Sequence, residues 1–94
     1  MQITEEAAAF VFSLMKKQKK YHAIIGYKKN KRCGLSDFRL RFSEVPLNYL
    51  VEYHYNIPFF IDEHALPHHF QLHICIEKGQ LVLKDTDNLS NHHL

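Results

Sequence analysis

The sequence has no long apolar run, only two cysteines and none of the common catalytic motifs. No stretch approaches the roughly 18 consecutive apolar residues of a membrane-spanning helix, so we expect a protein without a membrane span. Cys33 and Cys75 are too few for the disulfide scaffold of a small secreted domain. The opening residues 1–6 include two glutamates where a targeting peptide would be basic. These absences predict a soluble cytoplasmic protein whose cysteines remain thiols.

The sequence also lacks the patterns on which an enzyme or a nucleic-acid-binding protein would be predicted. It contains no Gly-x-Ser-x-Gly motif, no glycine-rich phosphate loop and no His-Glu-x-x-His motif. The net charge is only +2, and the basic segment 28–32 is explained by a solvated hairpin tip. We therefore expect a binding protein and not an enzyme, and we expect neither a membrane nor a nucleic acid as its partner.

The length and composition predict a single small domain. With 94 residues, 46% hydrophobic and 23% charged, the chain can fill one modest core but not two. There is no internal repeat and no low-complexity tract. We assign residues 1–88 to one domain and residues 89–94, which are polar, to a flexible C-terminal tail.

Hydrophobic periodicity predicts one helix followed by about six short strands. In residues 4–19 an apolar stripe of Ala8, Val11, Phe12 and Met15 repeats at helical spacing, and Thr4 is a suitable N-cap. Apolar and β-branched segments predict strands at 21–28, 37–42, 51–55, 57–61, 70–77 and 80–84, with a tight hairpin at Lys78-Gly79 and a connector at 62–69. The alternation in 70–77 places Phe70, Leu72, Ile74 and Ile76 on one apolar face. This order predicts an α+β fold, with antiparallel pairing favoured because the connections are short.

Cys33 is the residue that most suggests chemistry. It lies in a predicted loop between two strands, directly after Lys31 and Arg32 and before Gly34. Positive neighbours favour the thiolate, which is the form that binds metals or attacks electrophiles. The alternative is an ordinary loop cysteine, because charges that are close in sequence need not be close in space.

Three segments around this loop share their order and spacing with one known family. They are the opening 3–8, Cys33 followed by phenylalanines five and nine residues later (Phe38 and Phe42), and the apolar segment 57–61 followed by Asp62 and Leu66. In these features residues 2–88 resemble the HesB-type, or A-type, iron-sulfur carriers. The resemblance implies one main helix packed on curved, mostly antiparallel β-sheets (a HesB-like, β-rich fold). It further implies a homodimer, and Cys33 as the first of the family's three cluster cysteines.

The sequence departs from the family at the other cluster ligands. Gly34-Leu35 replaces Ser-Gly, and the C-terminal Cys-Gly-Cys is missing, so only Cys33 is retained. A [2Fe-2S] cluster normally takes four thiolates. The resemblance therefore implies a divergent carrier that binds iron or a cluster weakly through Cys33 and meets iron-sulfur assembly or client proteins. His93 lies near the position of a missing cysteine and is a second proposed ligand, since imidazole replaces thiolate in Rieske clusters. The alternative is a cluster-free protein-interaction or thiol-redox regulatory module.

Other histidines offer weaker indications of a metal site. The connector contains His64, His68 and His69, and imidazoles bind zinc, nickel or copper, but their spacing matches no zinc signature. His73 and Cys75 are two residues apart on a predicted strand and so share a face. We expect Cys75 to be a small buried side chain and the connector histidines to be part of a polar surface loop.

Overall fold

The structure is a computed structural model that describes residues 1–29, 36–45 and 50–86. Its elements are β1 (Gln2–Ile3), α1 (Glu5–Gln18), β2 (His22–Lys29), β3 (Ser36–Ser43), β4 (Leu50–His54), β5 (Ile57–Ile61), a 3-10 helix (His69–Gln71), β6 (Leu72–Glu77) and β7 (Gln80–Asp85). The predicted α+β class, one helix with a β-rich body, is confirmed. None of the helices in the described ranges has the length and hydropathy needed to traverse a lipid bilayer.

Helix α1 begins and ends where the sequence predicts. Thr4 is the N-cap, and its hydroxyl accepts a hydrogen bond from the Ala7 backbone N–H at 3.1 Å. Lys19 ends the helix in the left-handed conformation, with φ of 56°. The prediction that Phe12 belongs to the buried stripe is wrong: it is 50% exposed, and the Lys16 ammonium lies 5.5 Å from its ring centre. The buried stripe contains Ala7, Ala8, Val11 and Met15, so Ala7 belongs to it and Phe12 does not.

The N-cap is expected to stabilise the protein measurably. We expect Thr4→Ala to lower the free energy of unfolding by about 0.5–2 kcal/mol, because the Ala7 N–H loses its acceptor. Chemical denaturation followed by circular dichroism measures this loss. Ser13→Ala is the matched control, since Ser13 is an exposed hydroxyl residue within the helix and alanine has the higher helix propensity. An equal loss in both variants would contradict the capping role.

The strands form two mixed sheets. One has four strands in the order β3-β2-β5-β4, and the other has three in the order β1-β6-β7. The sequential hairpins β2–β3, β4–β5 and β6–β7 are antiparallel, as predicted. The pairs β2–β5 and β1–β6 are parallel, which the short connections did not predict, because each joins strands that are distant in sequence.

A hydrophobic core lies between α1 and the inner faces of both sheets. It contains Ala7, Ala8, Val11, Met15, Ala23, Ile25, Phe38, Ile57, Phe59, Ile61, Ala65, Leu72 and Ile74. The prediction that Phe70 belongs to the inner face of a strand is wrong. Phe70 lies in the 3-10 helix and is 67% exposed, because β6 begins only at Leu72.

The register of β4 places two polar residues on the inner side of the four-stranded sheet. Glu52 lies directly opposite Phe59 and His54 directly opposite Ile57, both core residues of β5. Residues that face each other across an antiparallel pair lie on the same side of the sheet. Tyr53 lies between them on the outer side and is 72% exposed. The edge of the core therefore has a carboxylate and an imidazole beside it.

Candidate functional site

The connector after β5 folds back along the sheet in a series of turns. The Asp62 carboxylate accepts the backbone N–H of His64 at 2.7 Å, and the Asp62 carbonyl accepts those of Ala65 and Leu66 at 3.0 and 2.9 Å. Ala65 is fully buried in the core, so it anchors the middle of the connector. The 3-10 helix that follows brings His69 back beside β4.

Glu52, His54 and His69 form a group of three ionisable side chains in contact, which we call the carboxylate-imidazole cluster. The Nε2 atom of His54 lies 2.9 Å from Glu52 Oε1, and that of His69 lies 2.8 Å from Glu52 Oε2. The side chains are about one-quarter exposed: 27% for Glu52, 23% for His54 and 21% for His69. One carboxylate thus bridges two imidazoles at the rim of the core.

The contacts of His69 hold its ring in place. Its Nδ1 is 2.8 Å from the Leu66 carbonyl oxygen, which can only accept. Its Nε2 is 2.8 Å from Oε2 of the Glu52 carboxylate. These two contacts join the connector to β4.

The remaining connector histidines point in different directions. His68 stacks on Tyr27 with ring centres 4.1 Å apart and planes at 18°, and Tyr27 in turn meets the Phe38 ring edge-on at 5.0 Å. His64 is 74% exposed, with its Nε2 3.7 Å from the Glu63 carboxylate. The structure therefore does not bring the three connector histidines together.

The His68 stack also places the connector beside β2. Tyr27 lies two residues before the end of β2, where Lys29 pairs with Ser36 of β3. Cys33 belongs to residues 30–35, which join these two strands. Cys33 itself, like His92 and His93, lies outside the described residues.

A second polar group lies on the outer face of the three-stranded sheet. His73 and Cys75 share this face, as predicted, but the prediction that Cys75 is buried is wrong. Cys75 is a half-buried free thiol that donates to the Glu77 carboxylate at 4.0 Å. Lys84 forms an ion pair with the same carboxylate. The hydrogen bond between Lys84 and Glu77 raises the pKa of the Lys84 ammonium. The Cys75 sulfur therefore lies beside the Glu77 carboxylate, which already forms an ion pair with Lys84.

Among the described residues, no group of three His, Cys, Asp or Glu side chains could hold a metal ion. In the carboxylate-imidazole cluster this is because each Nε2 atom meets a different oxygen of Glu52. Sequence reasoning found His69 but missed Glu52 and His54 as partners. The available signal was the spacing of Glu52 and His54 at i and i+2 on one strand, which places both side chains on one face.

Neither a family model nor a curated protein matches the sequence. The HesB-type resemblance therefore stays a prediction that depends on the residues themselves.

Proposed function

We propose that this protein is a divergent relative of the A-type iron-sulfur carriers, acting in the cytoplasm as a homodimer. It binds iron or an iron-sulfur cluster weakly, as cargo, through Cys33. The observation that most supports this proposal is the β2–β3 hairpin, whose last pair, Lys29 with Ser36, encloses residues 30–35. Cys33 belongs to a connection between two strands and follows two basic residues in the sequence. Positive neighbours favour the reactive thiolate form of a cysteine.

The packing around the hairpin supports this proposal. Phe38, five residues after Cys33, is 7% exposed and belongs to the core. Phe42, nine residues after Cys33, packs against the same core. Asp62 follows the apolar strand β5 and organises the turn after it through the His64 N–H. Phe38, Phe42 and Asp62, on which the resemblance depends, therefore each have a structural role.

The number of ligands favours weak binding. A homodimer brings two copies of Cys33, whereas a [2Fe-2S] cluster normally takes four thiolates. His93 is the proposed second ligand from each chain, because imidazole serves on one iron of Rieske clusters. A cargo held by so few protein ligands is easily passed to an assembly or client protein.

We expect the visible absorption of an anaerobically reconstituted sample, prepared with iron and sulfide, to require Cys33. Wild type should become coloured and Cys33→Ser should stay colourless, since the thiolate is lost. Cys75→Ser is the matched control and should retain the colour, because Cys75 lies on the opposite sheet, beside Glu77. Colourless wild type and variant alike would reject the carrier function and favour the cluster-free interaction or redox module.

Two further measurements on the same samples test the remaining parts of this proposal. Replacing His92 and His93 with glutamine should lower the iron content per chain, and an unchanged content would reject His93 as a ligand. The solution mass of the wild type should be that of a dimer, and a monomer at all concentrations would reject the shared site.

A further inference from the structure

We propose that the groove between helix α1 and the turn from β4 to β5 binds a small alkylated ammonium ion. The groove has a volume of about 360 Å³, which lies in the range typical of small-molecule sites. Helix α1 contributes Glu5, Ala8 and Phe12 to it, and the other side contains Tyr55 and Ile57. It shares no residue with the carboxylate-imidazole cluster, and the proposal does not depend on the carrier function.

Two aromatic rings line the groove, one on α1 and one on the turn. Phe12 and Tyr55 are each about half exposed, so both rings present part of their surface to solvent. An aromatic ring attracts an organic cation that lies over its face. The Phe12 ring already makes such a contact, since the ammonium of the exposed Lys16 lies 5.5 Å from its centre. Phe12 therefore has a face that a cation can approach.

Tyr55 has a backbone conformation that does not suit an aromatic residue. Tyr55 and Asn56 form the two-residue turn between β4 and β5, with φ of 53° and 65°. Positive φ at both positions favours asparagine, aspartate and glycine, and Asn56 is such a residue. A bulky residue in this conformation lowers stability, and such strain is concentrated at functional sites. The ring of Tyr55 completes the groove, which gives a reason for a tyrosine at this position.

The charge and the floor of the groove select the kind of cation. Of the described residues that line it, Glu5 alone is charged, and it forms no ion pair with any described residue. The floor contains the buried side chains of Ala8 and Ile57 and is apolar. A primary ammonium has three N–H donors, which would find few acceptors here besides Glu5. An alkylated ammonium instead presents its methyl groups to the apolar floor and its charge to Glu5.

Choline is the probe for this site, because it has a quaternary ammonium group. Its neutral isostere is dimethylbutanol, in which a carbon atom replaces the nitrogen. Binding to the full chain is measured by proton–nitrogen NMR correlation spectra. We expect choline to shift the amide signals of residues on both sides of the groove and to bind at least about 10-fold more tightly than dimethylbutanol. An acetylated trimethyllysine amide presents the same group as part of a protein, and its tighter binding would overturn the assignment to a free small molecule.

Three substitutions test the residues that line the groove. Glu5→Gln, Phe12→Leu and Tyr55→Asn should each weaken choline binding at least about 3-fold, since each removes the charge or a ring. Tyr55→Asn should also keep or raise the melting temperature, because asparagine suits the positive φ. A ring that serves only folding would lower it. Tyr55→Phe, which keeps the ring, should bind choline as the wild type does.

Matched controls distinguish this site from general attraction of a cation to the surface. Glu6→Gln, Phe10→Leu and Tyr53→Asn change exposed residues of the same types that do not line the groove. These variants should leave the affinity within about 2-fold of the wild type. Circular dichroism identifies any variant that fails to fold. No choline-dependent shift in the wild type, equal binding of dimethylbutanol, or equal losses in the controls and the groove variants would overturn the site.

Discussion

Replacing Phe59 with alanine is expected to lower the free energy of unfolding by about 3–5 kcal/mol. Phe59 is fully buried in β5, between Ala23 of β2 and Glu52 of β4. Removing its ring deletes the largest fully buried side chain of the described residues and leaves a cavity. A small domain has about 5–15 kcal/mol of stability in total. The variant should therefore be close to unfolded at 37 °C.

Urea denaturation of wild type and variant measures this effect as a lower midpoint at an unchanged slope. Phe70→Ala is the matched control, because Phe70 is the same residue type but 67% exposed. We expect the control to change the stability by no more than about 0.5 kcal/mol. Similar losses in the two variants would contradict the assignment of Phe59 to the centre of the core.

Replacing Leu72 with alanine is expected to cost about 2–5 kcal/mol. Leu72 begins β6 in the three-stranded sheet and is 1% exposed. It belongs to the same core as Phe59, although the two residues lie in different sheets. A large loss would therefore show that the two sheets are stabilised by one shared core.

Thermal unfolding monitored by circular dichroism tests this prediction independently of urea. Leu50→Ala is the control, because Leu50 is 50% exposed at the edge of the other sheet. Leu72→Ala should lower the melting temperature by several times as much as Leu50→Ala. Equal shifts would mean that the three-stranded sheet contributes little to the common core.

Cys33 and the carboxylate-imidazole cluster belong to different parts of this fold. Cys33 belongs to the connection between β2 and β3, whereas the carboxylate-imidazole cluster joins β4 to the connector after β5. His68, adjacent to His69 in the chain, stacks on Tyr27 near the end of β2. The connector thus contacts both β2 and β4.

Elements whose signal is local in the sequence were predicted well. Helix α1 follows from its apolar stripe and the Thr4 cap, and the β6–β7 hairpin follows from Lys78-Gly79, where φ is 53° and 75°. The two-residue strand β1 was missed because it is too short to show an alternation. Phe12 and Phe70 were assigned to buried faces because periodicity does not show where a stripe or a strand ends.

The sequence by itself determined the class of the fold, the ends of the helix and the position of Cys33 between two strands. These depend on contacts within a few residues, where propensity, capping and period operate directly. Only the tertiary structure determined the parallel pairing of β2 with β5 and the meeting of Glu52 with His69. Residues distant in the chain come together because the apolar side chains of all the elements pack into a shared core. A local sequence pattern does not show which elements will pack together.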